Sequence, residues 1–318
     1  MIPSAEQVEK TRQMLAQYLR PTRLLRAESL ENHSSARVVI KMESDLPTHS
    51  FKPRGALNAL LTTANKRRLT GVVAASTGNH GAAVAYAAKL LGLPATIFLP
   101  GNPNPVKRAR IAALGANIVE CDSVSSSAPI EGATAYARDH GWYLLDDATD
   151  PLVPVGTATI ASELLDEIPG LDAIFVPMGD TALIRGVAAE AKRRRPEITI
   201  IGVQAERAPA YVRSWEQGRV VVTETCDTIA DGLATLNPSE ENVQQIRELV
   251  DEARLVSEPE MLDAIRLLLL DEHIVAEPAG AAAIAAFLQN PSAYEGRGVA
   301  LLVTGANISA DVLRRAVA

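Results

Sequence analysis

The stretch THSFKPRGALNAL, residues 48–60, decides how this 318-residue chain is read. Thr48 and Ser50 are N-cap residue types, Pro53 suits a first helical position, and the apolar residues that follow read as a helix. Lys52 sits where that helix begins, at the end of the macrodipole that disfavours an ammonium. Two readings compete. Either Lys52 is a harmless solvated side chain, or its amine is meant to lose its charge and react.

Working outward, ARVVIKME (36–43) reads as a strand before this unit and GALNALLTTANKRR (55–68) as its helix. GVVAAS (71–76) is a strand and GAAVAYAAKLLG (81–92) a helix; ATIFLP (95–100) and PVKRARIAALG (105–115) repeat the pair. ANIVEC (116–121) leads to IEGATAYARDHG (130–141), and WYLLD (142–146) to GTATIASELLDEI (156–168). DAIFVPMG (172–179), ALIRGVAAEAKRRR (182–195), TIIGVQAE (199–206) and GVALLVTG (298–305) continue the alternation. Short β-branched runs alternating with longer alanine-rich helical patterns predict an α/β fold with parallel sheet and helices on both faces.

Bulk properties exclude several classes. Hydrophobic residues make up 47% and charged residues 22%, the balance of an ordinary globular protein. The formal net charge of −7 offers no basic footprint for nucleic acid. The clusters KRR (66–68) and KRRR (192–195) fall at helix ends, where they complement the dipole. Cys121 and Cys226 stand far apart with no partner at metal-ligand spacing, which fits a reducing compartment. MIPSAEQVEKTRQ lacks the apolar segment of a signal peptide, and the run near IRLLLL is too short to cross a bilayer. A cytoplasmic location is expected.

Three strand-to-helix loops are rich in groups that bind ligands. ASTGNHGAA (75–83) offers Ser76, Thr77, Asn79 and His80 at a helix N-terminus, a place that favours an anion. VPMGDTALIRG (176–186) has the same form, and its free N–H groups with the Thr181 hydroxyl can cradle a phosphate. It is neither a Walker loop nor a dinucleotide fingerprint. LVTGANIS (302–309) presents Thr304 and Asn307. Taken singly, the first loop reads more readily as a ligand site than as a polar capping turn, the second equally well as a tight turn, and the third as an ordinary turn. Sites in open α/β sheets form beyond the carboxyl ends of strands, so the three together predict one cleft built from distant loops. Asp146, Asp147 and Asp150 read as a solvated acidic loop, with contact to a cationic substrate group as the alternative.

SFKPRGA (50–56), STGNHGAAVAYAAKLLG (76–92), ADGLA (230–234), EPAGA (277–281) and TGAN (304–307) occur together in one order and spacing. With them the chain resembles the fold type II pyridoxal phosphate (PLP) enzymes, the tryptophan synthase β-like fold, and within these the serine/threonine dehydratase and serine racemase group. The resemblance implies two three-layer parallel-sheet domains with the active site between them. The large domain would comprise 1–44 and 146–318, and a small domain of 45–145 would be inserted. A homodimer is the usual state.

The resemblance also implies roles. Lys52 would hold PLP as a Schiff base and act as the catalytic base, with Phe51 packed beside the cofactor ring. A lysine in that role must reach a neutral form, which the helix N-terminus and an apolar or cationic surround would favour. Asn79 would hydrogen-bond the cofactor's 3-hydroxyl. Ser76, Thr77, Asn79 and His80 would surround the substrate carboxylate, with Thr77 at the second-face acid/base position that is a serine in the racemases. Gly179, Asp180, Thr181, Ala182 and Leu183 would hold the phosphate, although relatives have a run of glycines there. Thr304 would face the pyridine nitrogen, and Gly232 and Glu277 would line the pocket. Gln204 and Ala210 stand where metal-binding relatives carry carboxylates, so no metal is expected. Nothing after TGANISADVLRRAVA matches the regulatory domain of biosynthetic threonine deaminases, so isoleucine control is not expected.

The activity implied is a dehydratase, an ammonia-lyase turning a β-hydroxy α-amino acid into a 2-oxo acid and ammonia. Serine and threonine are the default substrates. A hydroxyectoine-breakdown intermediate or phenylserine are specialised options, and hydroxyaspartate ranks lowest because of the acidic cluster. An amino-acid racemase, a β-replacement synthase and a non-catalytic PLP-binding protein are the competing readings.

Overall fold

The computed structural model describes residues 2–76, 78–101, 103–121 and 127–318. In chain order the elements are α1 (Ala5–Leu15), β1 (Leu24–Arg26), α2 (Glu28–Ser34), β2 (Arg37–Met42) and α3 (Pro53–Ala64). Then come β3 (Val72–Ala75), α4 (Asn79–Leu90), β4 (Ala95–Pro100), α5 (Pro105–Ala113), β5 (Asn117–Cys121), α6 (Ala128–His140) and β6 (Tyr143–Leu144). They are followed by α7 (Leu152–Glu167), β7 (Ala173–Pro177), α8 (Ala182–Arg194), β8 (Thr199–Ala205), α9 (Ala210–Gln217) and α10 (Glu240–Leu249). The chain ends with β9 (Glu252–Val256), α11 (Glu258–Leu270), α12 (Pro278–Leu288), β10 (Gly298–Val303) and α13 (Ala310–Val317).

The strands form two sheets, one ordered β1-β2-β10-β7-β8-β9 and the other β5-β4-β3-β6. Every ladder is parallel except the antiparallel pair of β1 with β2. Inner strands of a parallel sheet are covered on both faces, so they need apolar residues throughout rather than alternation. β7 (AIFVP) and β10 (GVALLV) are buried at every position, whereas the edge strand β5 has no buried residue. Helices rich in alanine cover them. α12 is buried over its first ten residues, and its small side chains let it lie close against β7 and β10.

The start of α3 differs from its sequence reading. Lys52 itself is the N-cap residue, in αR conformation, and no side chain caps the helix. Thr48 and Ser50 instead share a hydrogen bond of 3.3 Å with each other. The segment before Lys52 is strapped to the loop that leaves β10. Phe51 N–H donates to the Thr304 carbonyl at 3.0 Å, Ala306 N–H donates to the His49 carbonyl at 3.0 Å, and Ser50 bridges Gly305. His49 takes a positive φ of 53° to make this turn.

Two residues beyond Lys52, the Arg54 guanidinium is buried among carboxylates. It donates to Glu43 through Nε (2.8 Å) and Nη2 (2.9 Å), and to Glu163 through Nη1 (2.6 Å) and Nη2 (2.9 Å). Lys41 Nζ lies 2.5 Å from Glu163, and the Thr22 hydroxyl donates to Glu43 at 2.7 Å. Two cations thus face two anions. Burial works against the charged guanidinium, yet the Glu43 and Glu163 charges outweigh it and raise Arg54 above its ordinary range. This cluster fastens α3 to the end of β2 and to α7. Removing one member strands the others without partners. Arg54→Met is expected to lower the unfolding free energy by about 3–5 kcal/mol, read from denaturant melts of the cofactor-free protein.

Candidate functional site

Loops that follow β3, β6, β7 and β10, together with the start of α3, enclose a cavity of about 270 Å³. Its wall includes Phe51, Lys52, Ser76, Asn79, His80, Thr304, Gly232 and Glu277, and the whole segment Gly179, Asp180, Thr181, Ala182 and Leu183. Residues spread from 51 to 304 therefore meet in one space. Thr77 lies outside the described residues.

Lys52 reaches into this cavity with its side chain 18% exposed, and its Nζ stands 5.0 Å from the Phe51 ring centroid. Its nearest partner is neither an apolar wall nor a cation. The Lys52 ammonium donates to Asp147 Oδ2. Asp147 is buried, so the solvated-loop reading of the acidic cluster fails at this residue. His80 Nδ1 lies 3.7 Å from the same oxygen. The other His80 nitrogen, Nε2, is 2.9 Å from the Leu145 carbonyl, which only accepts, so Nε2 carries the hydrogen. Burial pushes the Asp147 carboxyl up, but the charges of His80 and Lys52 outweigh it and hold it well below the usual carboxylate range. Asp150 is engaged elsewhere, accepting from the Tyr143 hydroxyl and from Leu152 N–H.

A second lysine also lines the cavity. Lys107, on α5, is buried and lies 2.5 Å from Asp231 Oδ1 and 2.9 Å from Glu277 Oε2. Burial lowers it and the charges of Glu277 and Asp231 raise it, with a net rise. Glu277 Oε1 accepts from Asn79 Nδ2 at 2.6 Å, and Asn79 Oδ1 accepts from Asn307 Nδ2 at 2.8 Å. Asn79 is thus fixed from both ends. Gly78 precedes it with φ of 153°, and a Cβ there would lie 2.2 Å from the Lys107 side chain. Only glycine lets the turn and the lysine coexist.

The loop after β7 forms a cradle. Thr181 caps α8 in the left-handed region with φ of 68°, and its buried hydroxyl has no hydrogen-bond partner. A Cβ on Gly179 would sit 2.3 Å from the Gly232 carbonyl, so the loop can close only with glycine at 179. Free N–H groups at the start of α8 and an orphaned hydroxyl make a fitting seat for a phosphate monoester. Asp180 Oδ1 accepts from the Thr235 hydroxyl at 3.0 Å. Burial and then the nearby Asp147 charge push the Asp180 carboxyl up to about 6, against the pull of Lys52.

Lys107 and Asp231 are parts of the site to which sequence reasoning gave no role, and Asp147 meets a lysine of the chain itself rather than a cationic substrate group. Lys107 sits in PVKRARIAALG beside Arg108 and Arg110, and nothing local separates it from them. Gln204, expected as the place of a missing metal ligand, accepts from Tyr211 N–H at 3.1 Å and Val212 N–H at 3.0 Å, capping α9.

Comparison with known proteins gives the same direction. Residues 15–305 match the family model described as pyridoxal-phosphate dependent enzyme. The chain is 34% identical over 310 residues to an L-threonine ammonia-lyase of Thermotoga maritima, covering 98% of this chain and 77% of that one. It is 33% identical over 310 residues to an L-threo-3-hydroxyaspartate ammonia-lyase of a Pseudomonas species, covering 98% and 97%. The structure of maize serine racemase superposes with a TM-score of 0.93 at 28% identity, covering 100% of this chain and 97% of the other.

The raised carboxyl of Asp180 gives a signed expectation. A folded-state value above the ordinary 3.8 means that ionisation costs stability as pH rises through about 6. Asp180→Asn removes that cost. Its stabilisation of the cofactor-free protein, read from denaturant melts, is expected to be greater at pH 7.5 than at pH 5 by about 1 kcal/mol.

Proposed function

The chain belongs to the family of pyridoxal-phosphate dependent enzymes and is a lyase; from that premise we propose an ammonia-lyase for a β-hydroxy α-amino acid without a second carboxylate. The observation that carries the reading is the Lys52 amine inside a cavity that also contains an anion cradle at α8.

Lys52 would hold the cofactor, and the Thr181 hydroxyl with the N–H groups at the start of α8 would hold its phosphate. Bound there, PLP withdraws electrons from the substrate α-carbon and makes its proton removable. The residues of the chain supply the rest. The N-terminal turn of α4, with Ser76, Asn79 and His80, receives the substrate carboxylate on N–H groups and the positive end of the dipole. The freed Lys52 amine takes the α-proton. The C–H electron pair becomes the Cα–Cβ double bond, and the C–O pair leaves with oxygen. Lys52 returns the proton to that oxygen, which departs as water. The enamine tautomerises to an imine, and one water converts it to the 2-oxo acid and ammonia.

Charge in the cavity supports the substrate restriction. Asp146, Asp147 and Asp180 all line it, no arginine does among the described residues, and both lining lysines already face carboxylates. A second substrate carboxylate about 5 Å from one of these aspartates would meet roughly 3 kcal/mol of repulsion at an effective dielectric near 20. Hydroxyaspartate is the second reading, favoured by the name of the Pseudomonas relative.

Release of 2-oxo acid from a panel of β-hydroxy amino acids tests this. Serine or threonine is expected to exceed threo-hydroxyaspartate in kcat/KM by about tenfold or more, and the reverse order would transfer the assignment to the dicarboxylate. Lys52→Ala is expected to lose both the visible band of the bound cofactor and all turnover. Full activity in that variant would end the proposal.

A further inference from the structure

The loop between β6 and α7 is held with more care than a surface turn requires. Arg185, on α8, is buried yet has no carboxylate partner within ion-pair distance among the described residues. Burial lowers it below the ordinary guanidinium range. It spends one Nη2–H on the Ala148 carbonyl at 2.9 Å, and Nη1–H on Gln245 at 3.3 Å. Asn242 donates to the same Ala148 carbonyl at 3.0 Å. From the other side, Asp146 Oδ1 accepts from Ala148 N–H at 3.1 Å and its Oδ2 from the Thr149 hydroxyl at 2.7 Å. A buried guanidinium used on a main-chain carbonyl is costly, and it is intelligible if that carbonyl's neighbour must be fixed.

The neighbour is Asp147, and its carboxylate meets Lys52 Nζ. We propose that Asp147 is a positioning residue for the Lys52 amine, fixing where the nitrogen rests whenever it is not bound to the cofactor. Arg185 from α8 and Asn242 from α10 hold the carbonyl of Ala148, the residue that follows Asp147. Around its carboxylate stand Lys52 from α3, His80 from α4, Asp146 from its own loop, Asp180 from the loop after β7 and Arg185 from α8. When the cofactor takes the lysine nitrogen, His80 Nδ1, 3.7 Å away, remains as the facing partner of Asp147. When substrate releases the nitrogen, the fixed carboxylate receives it at the same place. A base that must meet an α-proton within a narrow geometry gains from such a fixed rest position, since a misplacement of about 1 Å can cost about a hundredfold.

The kinetic arm of this inference rests on the ammonia-lyase reading; the chemical arm does not. In the cofactor-free protein, reductive methylation followed by peptide mass spectrometry reads how available each lysine is. Asp147→Asn is expected to speed labelling of Lys52 by about tenfold while Lys107, paired with Asp231 and Glu277, keeps its wild-type rate. In the loaded enzyme the same variant is expected to lose about tenfold to a hundredfold in kcat, with KM within about threefold of wild type. Asp147→Glu keeps the charge but moves it by one methylene. It should leave Lys52 slow to label while kcat still falls, and it decides the matter if Asp147→Asn does not fold. Unchanged labelling of Lys52 or parallel acceleration at Lys107 in Asp147→Asn, fast labelling of Lys52 in Asp147→Glu, or a kcat within about twofold of wild type in either variant overturns the proposal. A wild-type protein that releases no 2-oxo acid from any member of the panel defeats the lyase reading alone, because the labelling result still judges the contact.

Discussion

The double clamp of Arg54 on Glu43 and Glu163 is the interaction on which the geometry of the site depends. A buried guanidinium loses several kcal/mol of hydration, and only well-aligned anions on both edges of its plane return it. Here one anion comes from the end of β2 and the other from α7, while Arg54 itself belongs to the first turn of α3. The helix that begins beside Lys52 is therefore anchored to the frame of the six-stranded sheet. The strap from Phe51 and His49 to the loop after β10 fixes the approach to the same point from the other side. Between these two ties the Lys52 backbone has little room to move.

Charge balance then shapes the cavity. Lys52 is set against Asp147, and Lys107 against Asp231 and Glu277. Glu277 also orients Asn79, so the second lysine acts on the floor of the α4 loop through one carboxylate. Asp180 is the exception, for no lysine or arginine lies within ion-pair distance of it among the described residues, and its carboxyl is lifted to about 6. An arriving phosphate would add to the repulsion that lifts it. A cradle poor in glycine thus still works if Asp180 stays turned to Thr235 and leaves the N–H groups of α8 and the Thr181 hydroxyl to the anion.

Local patterns carried a large part of this into the sequence. Continuous apolar runs marked β7 and β10, and glycine-bearing turns marked the loops after β3, β7 and β10, because strand burial and loop chemistry are written within a few residues. The sequence reading leaves the antiparallel β1, the edge strand β9 and the helices α1, α2 and α9 to α13 without assignment. Thr48 and Ser50 have the chemistry of caps, yet the Ser50–Gly305 bridge claims that segment from more than 250 residues away. Separation along the chain likewise hides Lys107 from Asp231, 124 residues on, and Lys52 from Asp147. A charged side chain shows its partner only after folding, and an acidic run such as Asp146-Asp147 looks solvated until a lysine 95 residues away is placed against it.

The puzzle of a lysine at a helix start can then be weighed. The dipole opposes an ammonium there by about 0.3–1 kcal/mol. A carboxylate at about 4 Å contributes several times as much at an effective dielectric near 20. In the cofactor-free protein the nitrogen is set against the Asp147 carboxylate as well as the helix start. In the function proposed above, capture of the nitrogen by the cofactor would withdraw it from Asp147 while the dipole remained. The helix start would then serve the bound state and the carboxylate the released state. Such a division would give one small cavity a use for an acid and a helix N-terminus on the same nitrogen, which otherwise oppose each other.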